Sequence, residues 1–204
     1  MKKGLILLLT VIMLAACSCA RTDSRSLFTS EEDVILSADG HALLTAEDFL
    51  FAEAYEKASA EFLNSKQPSR DELFIRLAET ALCSMFSEEF EVNADREQLN
   101  GEYELFTAEL SDTDADYKCI AQVKESLQIG DGEFAELFVE HAYMSASAEN
   151  LVSEIAGVYT AVTDPSAMEE YILINLEEIA SVYHIEVNFP DMEDHHFSYA
   201  SVIS

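Results

Sequence analysis

Two hydrophobic periods alternate along the chain and divide it into elements. Val34-Ile35-Leu36 runs into Asp39-Gly40, and Ala42-Leu43-Leu44 returns. Short apolar runs joined by Asp-Gly predict a β-hairpin. The period then lengthens. Thr45, with Asp48 three residues on, predicts a capped helix carrying Phe51, Tyr55, Ala58 and Phe62, ended before Pro68. Ser69 and Glu72 form a second capping pair ahead of two adjacent apolar lines, Leu73/Leu77/Ala81/Met85 and Phe74/Ala78/Leu82/Phe86. One neighbour needs only one stripe, so this helix is buried on two sides or lines a groove.

Helical spacing continues downstream. A third helix starting at Asn93 carries Leu99, Tyr103, Phe106 and Leu110, and an acidic break covers 111–118. Ile120, Val123 and Leu127 mark a shorter helix ending at Gly130. From Asp131 a long pattern runs through Phe134, Leu137, Phe138, His141, Ala148, Leu151, Val152, Ile155 and Tyr159, with a bend expected near 145–147. Asp164-Pro165 is an N-cap and first-turn pair for a last helix with Met168, Ile172, Leu176, Ile179 and Tyr183. Ile185 to Phe189 alternates as a strand, placed to join the hairpin, and a polar tail follows Pro190. The order is a hairpin, about six helices and a strand, a mainly α fold with a small β element. Only 6 Gly and 3 Pro in 204 residues leave too few turn formers for a sandwich or barrel.

The N-terminus changes the picture. Met1-Lys2-Lys3, an apolar run from Leu5 to Leu14, and Leu14-Ala15-Ala16-Cys17 read as a secretory leader. The run is shorter than the roughly 20 residues a helix needs to span a bilayer. The Leu-Ala-Ala-Cys end resembles a bacterial lipobox. That resemblance implies cleavage before Cys17, lipidation of Cys17 and a membrane-anchored protein facing outside the cytoplasm. The chain divides accordingly into a leader (1–16), a lipidated Cys17 with a flexible tether (17–33), a folded domain (34–190) and a polar tail (191–204).

Charge narrows the partners. Asp and Glu number 40 against 11 Lys and Arg, a net charge of −29. Such a surface opposes nucleic acid and anionic headgroups, so the membrane is expected to be reached through the lipid alone. Hydrophobic residues at 49% exclude a disordered acidic tail.

The stretch from Val34 to Phe49, with Asp39-Gly40, Leu44-Thr45 and Asp48-Phe49, resembles the opening of SurA/PrsA-type chaperone domains. Phe90-Glu91-Val92-Asn93-Ala94-Asp95-Arg96-Glu97-Gln98-Leu99 is similar to that family's junction after its apolar helix, and Met168–Phe189 to its closing helix and strand. Together these cover about residues 34–190. The family often carries a parvulin prolyl-isomerase domain before the final helix. Here only the Val158–Asp164 connection stands there, so no isomerase activity is expected. The resemblance implies ATP-independent holdase binding of unfolded exported polypeptides. Candidate contacts are Phe74, Phe86, Tyr103, Phe106, Phe134 and Phe138, which core packing would equally explain. The alternative is a non-catalytic scaffold for one dedicated envelope partner.

Other chemistry finds little support in the residues. Asp112-Thr113-Asp114-Ala115-Asp116 imitates half of an EF-hand loop, but Tyr117 and Val123 stand where the turn Gly and closing Glu belong. It reads as a solvated acidic loop. Asp191, Glu193, Asp194, His195 and His196 lack a rigid element to fix a metal geometry. His141, on an apolar face, reads as a satisfied core histidine. No His-Glu-x-x-His, Gly-x-Ser-x-Gly or phosphate-binding Gly-rich loop occurs. No enzyme, cofactor or metal is expected. Cys19 lies in the tether, and the spacing of Cys83 and Cys119 leaves open whether they pair.

Overall fold

The computed structural model describes residues 27–158, 164–190, 192 and 196–203. The leader, Cys17, Cys19, the centre of the Val158–Asp164 connection, and Asp191, Glu193, Asp194 and His195 lie outside these. Among the described residues the fold is mainly helical with one three-stranded antiparallel sheet.

The hairpin forms as predicted, β1 (Val34–Ala38) against β2 (His41–Thr45). Ala38 pairs with His41 across a two-residue link. Asp39 (φ 49°) and Gly40 (φ 79°) both take left-handed backbone, the combination a type I′ turn requires. β3 (Ile185–Val187) pairs antiparallel with β1, giving the order β2-β1-β3. Asp39 helps to hold it. Its side chain accepts from His184 N–H at 2.9 Å, and its own N–H donates to the His184 carbonyl at 2.9 Å.

Both capping boxes close. Thr45 and Asp48 exchange bonds at the start of α1 (Ala46–Phe62), and Ser69 and Glu72 do so at the start of α2 (Arg70–Glu89). The remaining helices are α3 (Arg96–Ala108), α4 (Ala115–Leu127), α5 (Asp131–Val158), α6 (Pro165–Ala180) and α7 (Ala200–Ile203). Several boundaries differ from the sequence reading, and β3 stops at Val187 short of Phe189. Asp95 rather than Asn93 caps α3, accepting from the N–H groups of Glu97 and Gln98. α4 starts inside the acidic break. It ends on Gln128 in left-handed backbone (φ 63°), ahead of Gly130.

α2 is the centre of the body. Its two apolar lines are buried except for half-buried Met85, and so is a third line through Glu79, Cys83 and Ser87. It packs against α1, α5, α6, α7 and β2. α5, about 42 Å long at 1.5 Å per residue, joins two cores. Its C-terminal half (Met144, Ala148, Leu151, Ile155) packs with α2, the sheet and α6. Its N-terminal half (Phe134, Leu137, Phe138) packs with Phe51 and Tyr55 of α1 and with Cys119, Ile120 and Val123 of α4. α3 is peripheral. Of its predicted stripe only Leu99 is buried, and Arg96 ties it to α5 through a two-pronged ion pair with Glu140 and a guanidinium 3.8 Å from the Tyr143 ring centre.

Among the described residues, packing continues outside 34–190 at both ends. Phe28 meets the Phe49 and Phe189 rings at 6.0 Å each, and Asp33 accepts from the N–H groups of Thr29 and Ser30. At the other end Tyr199 is buried. Glu79, 1% exposed, accepts from Ser198 N–H (2.9 Å), Tyr199 N–H (2.8 Å), Ser201 N–H (3.2 Å) and the Ser201 hydroxyl. A polar tail therefore folds because a buried carboxylate supplies the acceptor that the first N–H groups of α7 need.

Candidate functional site

The two cores meet imperfectly, and the seam between them is an open groove. α5 forms its floor with Phe138, Ala142, Ser145 and Glu149 along one line, and with His141, Met144 and Ala148 beside it. Helical spacing puts 138, 142, 145 and 149 on one face. α1 contributes Phe51, Ala52 and Tyr55. α2 contributes Leu73, Arg76, Leu77 and Thr80, and Ser201 and Val202 of α7 form part of the wall. Phe51, Tyr55 and Phe138 belong to one core, and Ala52, Leu73, Leu77, Met144 and Ala148 to the other.

Few polar groups reach this apolar lining. Arg76 pairs with Glu56, a carboxylate buried behind it. Burial pushes the Glu56 carboxyl above its ordinary 4.5, and the Arg76 charge and hydrogen bond oppose the rise. His141 is 8% exposed, and its Nε2 has no hydrogen-bond partner among the described residues. Asp48 Oδ1 stands 3.8 Å away, beyond hydrogen-bond range. Burial holds the imidazole below 6.5, against the pull of Asp48 and Glu140. The histidine is thus in the core, as expected, but not satisfied. Glu149 is similar. Its Oε1 is out of water and has no hydrogen-bond partner among the described residues, and burial raises its carboxyl above 4.5.

The six candidate aromatics divide between the cores. Phe74 and Phe86 are fully buried in the first, Phe74 stacked on Phe189 at 4.1 Å and Phe86 on Tyr183 at 5.2 Å. Phe134 is fully buried in the second, 5.9 Å from Phe138, and Tyr103 lies 5.2 Å from Phe138. Phe106 is half-buried at the edge of that core. Only Phe138 of the six lines the groove. Core packing accounts for Phe74, Phe86 and Phe134.

Sequence reasoning passed over Phe51, Tyr55, Arg76, His141 and Glu149 as groove residues. The available signal was charge on an apolar face: Glu56 follows Tyr55 directly, and Arg76 precedes Leu77.

Cys83 and Cys119 are both buried with free thiols, one in each core, which settles the open pairing. Among the described residues no cluster of His, Cys, Asp or Glu is arranged to hold a metal, and no helix is long and apolar enough to cross a membrane.

The fold thus defines a mainly helical protein with a small antiparallel sheet and an apolar groove along its longest helix. Comparison with protein-family models, with curated proteins and with solved structures gave no match to this chain.

Proposed function

We propose that this is a lipid-anchored, extracytoplasmic, non-catalytic protein that holds unfolded or extended polypeptide segments in the α1–α2–α5 groove, as an ATP-independent holdase. The observation that carries the reading is an open apolar groove holding two unsatisfied polar atoms, His141 Nε2 and Glu149 Oε1. Aromatic and aliphatic walls take apolar side chains without directional demands. A peptide backbone brings the N–H and C=O groups that unpaired polar atoms lack.

The energetics favour weak, reversible capture. Seating two large apolar side chains gains about 3–6 kcal/mol, while ordering each residue of a flexible segment costs about 1–2 kcal/mol. Two side chains alone therefore offset the ordering of only about three residues, so backbone hydrogen bonds must supply the rest, and the resulting weak capture suits a protein that must release its clients. The net charge of −29 opposes association between copies. The lipobox-like Leu14-Ala15-Ala16-Cys17 supports the anchor, and the motifs resembling SurA/PrsA-type domains support the client class.

The test is suppression of aggregation. The full chain is reconstituted in nanodiscs of zwitterionic lipid and mixed with several chemically unfolded proteins, basic and acidic, and light scattering is followed at two salt concentrations. Protection of unrelated clients, lost in Ser145→Leu, is the expected result. Protection of no client overturns the holdase reading. Protection of one client alone favours a scaffold for a dedicated partner.

A further inference from the structure

The groove has a charge pattern as well as a shape. Arg76 is paired with Glu56 behind it, and burial disfavours the charged form of His141. Glu149 is the carboxylate that lines the groove, and its Oε1 has no hydrogen-bond partner among the described residues. At the other end of the same α5 line sits Phe138, with Phe51 and Tyr55 beside it. Phe138 and Glu149 are eleven residues apart on one helix, about 16 Å at 1.5 Å per residue. An extended peptide covers that distance in about five residues at roughly 3.3 Å each.

We propose that the groove selects extended segments in which a lysine or arginine stands about five residues from an aromatic or large aliphatic residue, with Glu149 receiving the cation. The proposal rests on the peptide-binding reading above and specifies its substrate class. An ammonium or guanidinium supplies the donor that Glu149 Oε1 lacks, and charge-assisted bonds of this kind are the stronger ones. Burial also disfavours a bare carboxylate at position 149, so an arriving cation relieves a cost already present in the free protein. The excess of 40 acidic over 11 basic residues draws cationic segments from a distance. An acidic segment meets the opposite field and an unpaired carboxylate.

The experiment uses the full chain in zwitterionic nanodiscs, empty nanodiscs as the blank, and fluorescein-labelled eleven-residue peptides read by polarisation. The parent peptide carries Phe and, five residues on, Lys in an alanine–serine background. Three relatives replace Lys by norleucine, replace Lys by Glu, or move Lys to two residues from Phe. The parent is expected to bind about tenfold more tightly than the norleucine and shifted peptides, with no binding of the Glu peptide. Glu149→Gln is expected to bring the ratio of parent to norleucine peptide close to one, and high salt to lower it. Equal binding of the parent, norleucine and shifted peptides by the wild-type chain overturns the cation proposal and leaves groove binding standing. Binding of no peptide overturns both. The peptide comparison on the wild-type chain decides the matter even where Glu149→Gln does not fold.

Discussion

Replacing Glu79 tests how the C-terminal segment is held. The carboxylate is 1% exposed and accepts five hydrogen bonds from Ser198, Tyr199 and Ser201. Bonds to a charged group are worth about 1.5–3 kcal/mol each, so a simple sum exceeds 6 kcal/mol. The true loss is smaller, because α7 can leave the body and hydrate its N–H groups. It saturates at the free energy of docking. That is the burial of Tyr199 at about 1.5–3 kcal/mol plus the bonds, less about 1–2 kcal/mol for each residue ordered. Glu79→Ala is expected to cost about 3 kcal/mol, and Glu79→Gln about half of that, since it keeps one acceptor oxygen. With a urea m-value near 2 kcal/mol/M, the alanine variant shifts the unfolding midpoint down by about 1.5 M. Hydrogen exchange should show the amides of 198, 199 and 201 losing protection together. The decisive control removes residues 198–204. In that background an unpaired buried carboxylate is itself a liability, so Glu79→Leu should be neutral or stabilising, the reverse of its effect in the full chain. A midpoint change below about 0.3 M in Glu79→Ala with the tail amides still protected, or equal costs in both backgrounds, would refute the reasoning.

Three shorter predictions follow from other parts of the molecule. Gly40→Ala should lower stability by about 1 kcal/mol in urea unfolding; a Cβ at Gly40 meets no atom within 4 Å, so the cost is that of its left-handed backbone at φ 79°. His141 contributes to pH dependence with a definite sign: burial lowers its folded-state pKa, so below about 6.5 the unfolded chain binds a proton that the folded chain refuses, and stability falls with pH. The stability of the wild type relative to His141→Leu should therefore decline between pH 8 and pH 5, and a flat difference refutes it. Burial pushes the Cys119 thiol up to about 11 and that of Cys83 higher still, so alkylation at pH 8 followed by peptide mass spectrometry should label both slowly in the native chain and promptly in urea.

Elements were legible in the sequence where a local signal carries its own chemistry. Asp39-Gly40, the Thr45/Asp48 and Ser69/Glu72 boxes, and Asp164-Pro165 each act within a few residues, and each appears where the pattern places it. The double apolar line of α2 announced a central helix. Its third buried line, through Glu79, was hidden because a glutamate reads as solvent-facing until its partners are known, and those partners lie about 120 residues away. The same distance effect concealed the order of Phe28 and of Tyr199. The groove was illegible for a different reason: it is a mismatch between two cores, and no single helix encodes it. Phe74, Phe86 and Phe134 carried the largest apolar signal and so went to the cores. Part of the seam's lining fell to small residues such as Ala52, Ala142, Ser145 and Ala148, which carry almost no sequence signal.

That use of small residues has an energetic consequence. Where Ala and Ser lie between the larger lining residues the seam is cheap to fill, and a protein selected for stability alone would fill it. Ser145 is half-buried on the groove floor. Each methylene newly removed from water gains about 0.8 kcal/mol, offset in part by lost rotamer freedom and some crowding against the groove's other lining residues. Ser145→Leu should therefore raise stability by about 1 kcal/mol in urea unfolding while weakening peptide capture. Gain of stability with loss of function is the signature of a site whose open space is used. If Ser145→Leu stabilises the chain and leaves client protection untouched, the groove is a packing imperfection and the binding surface lies elsewhere. If it destabilises the chain, the space is already filled in solution by movement of α7 or its neighbours, and the open seam is not the resting state of the fold.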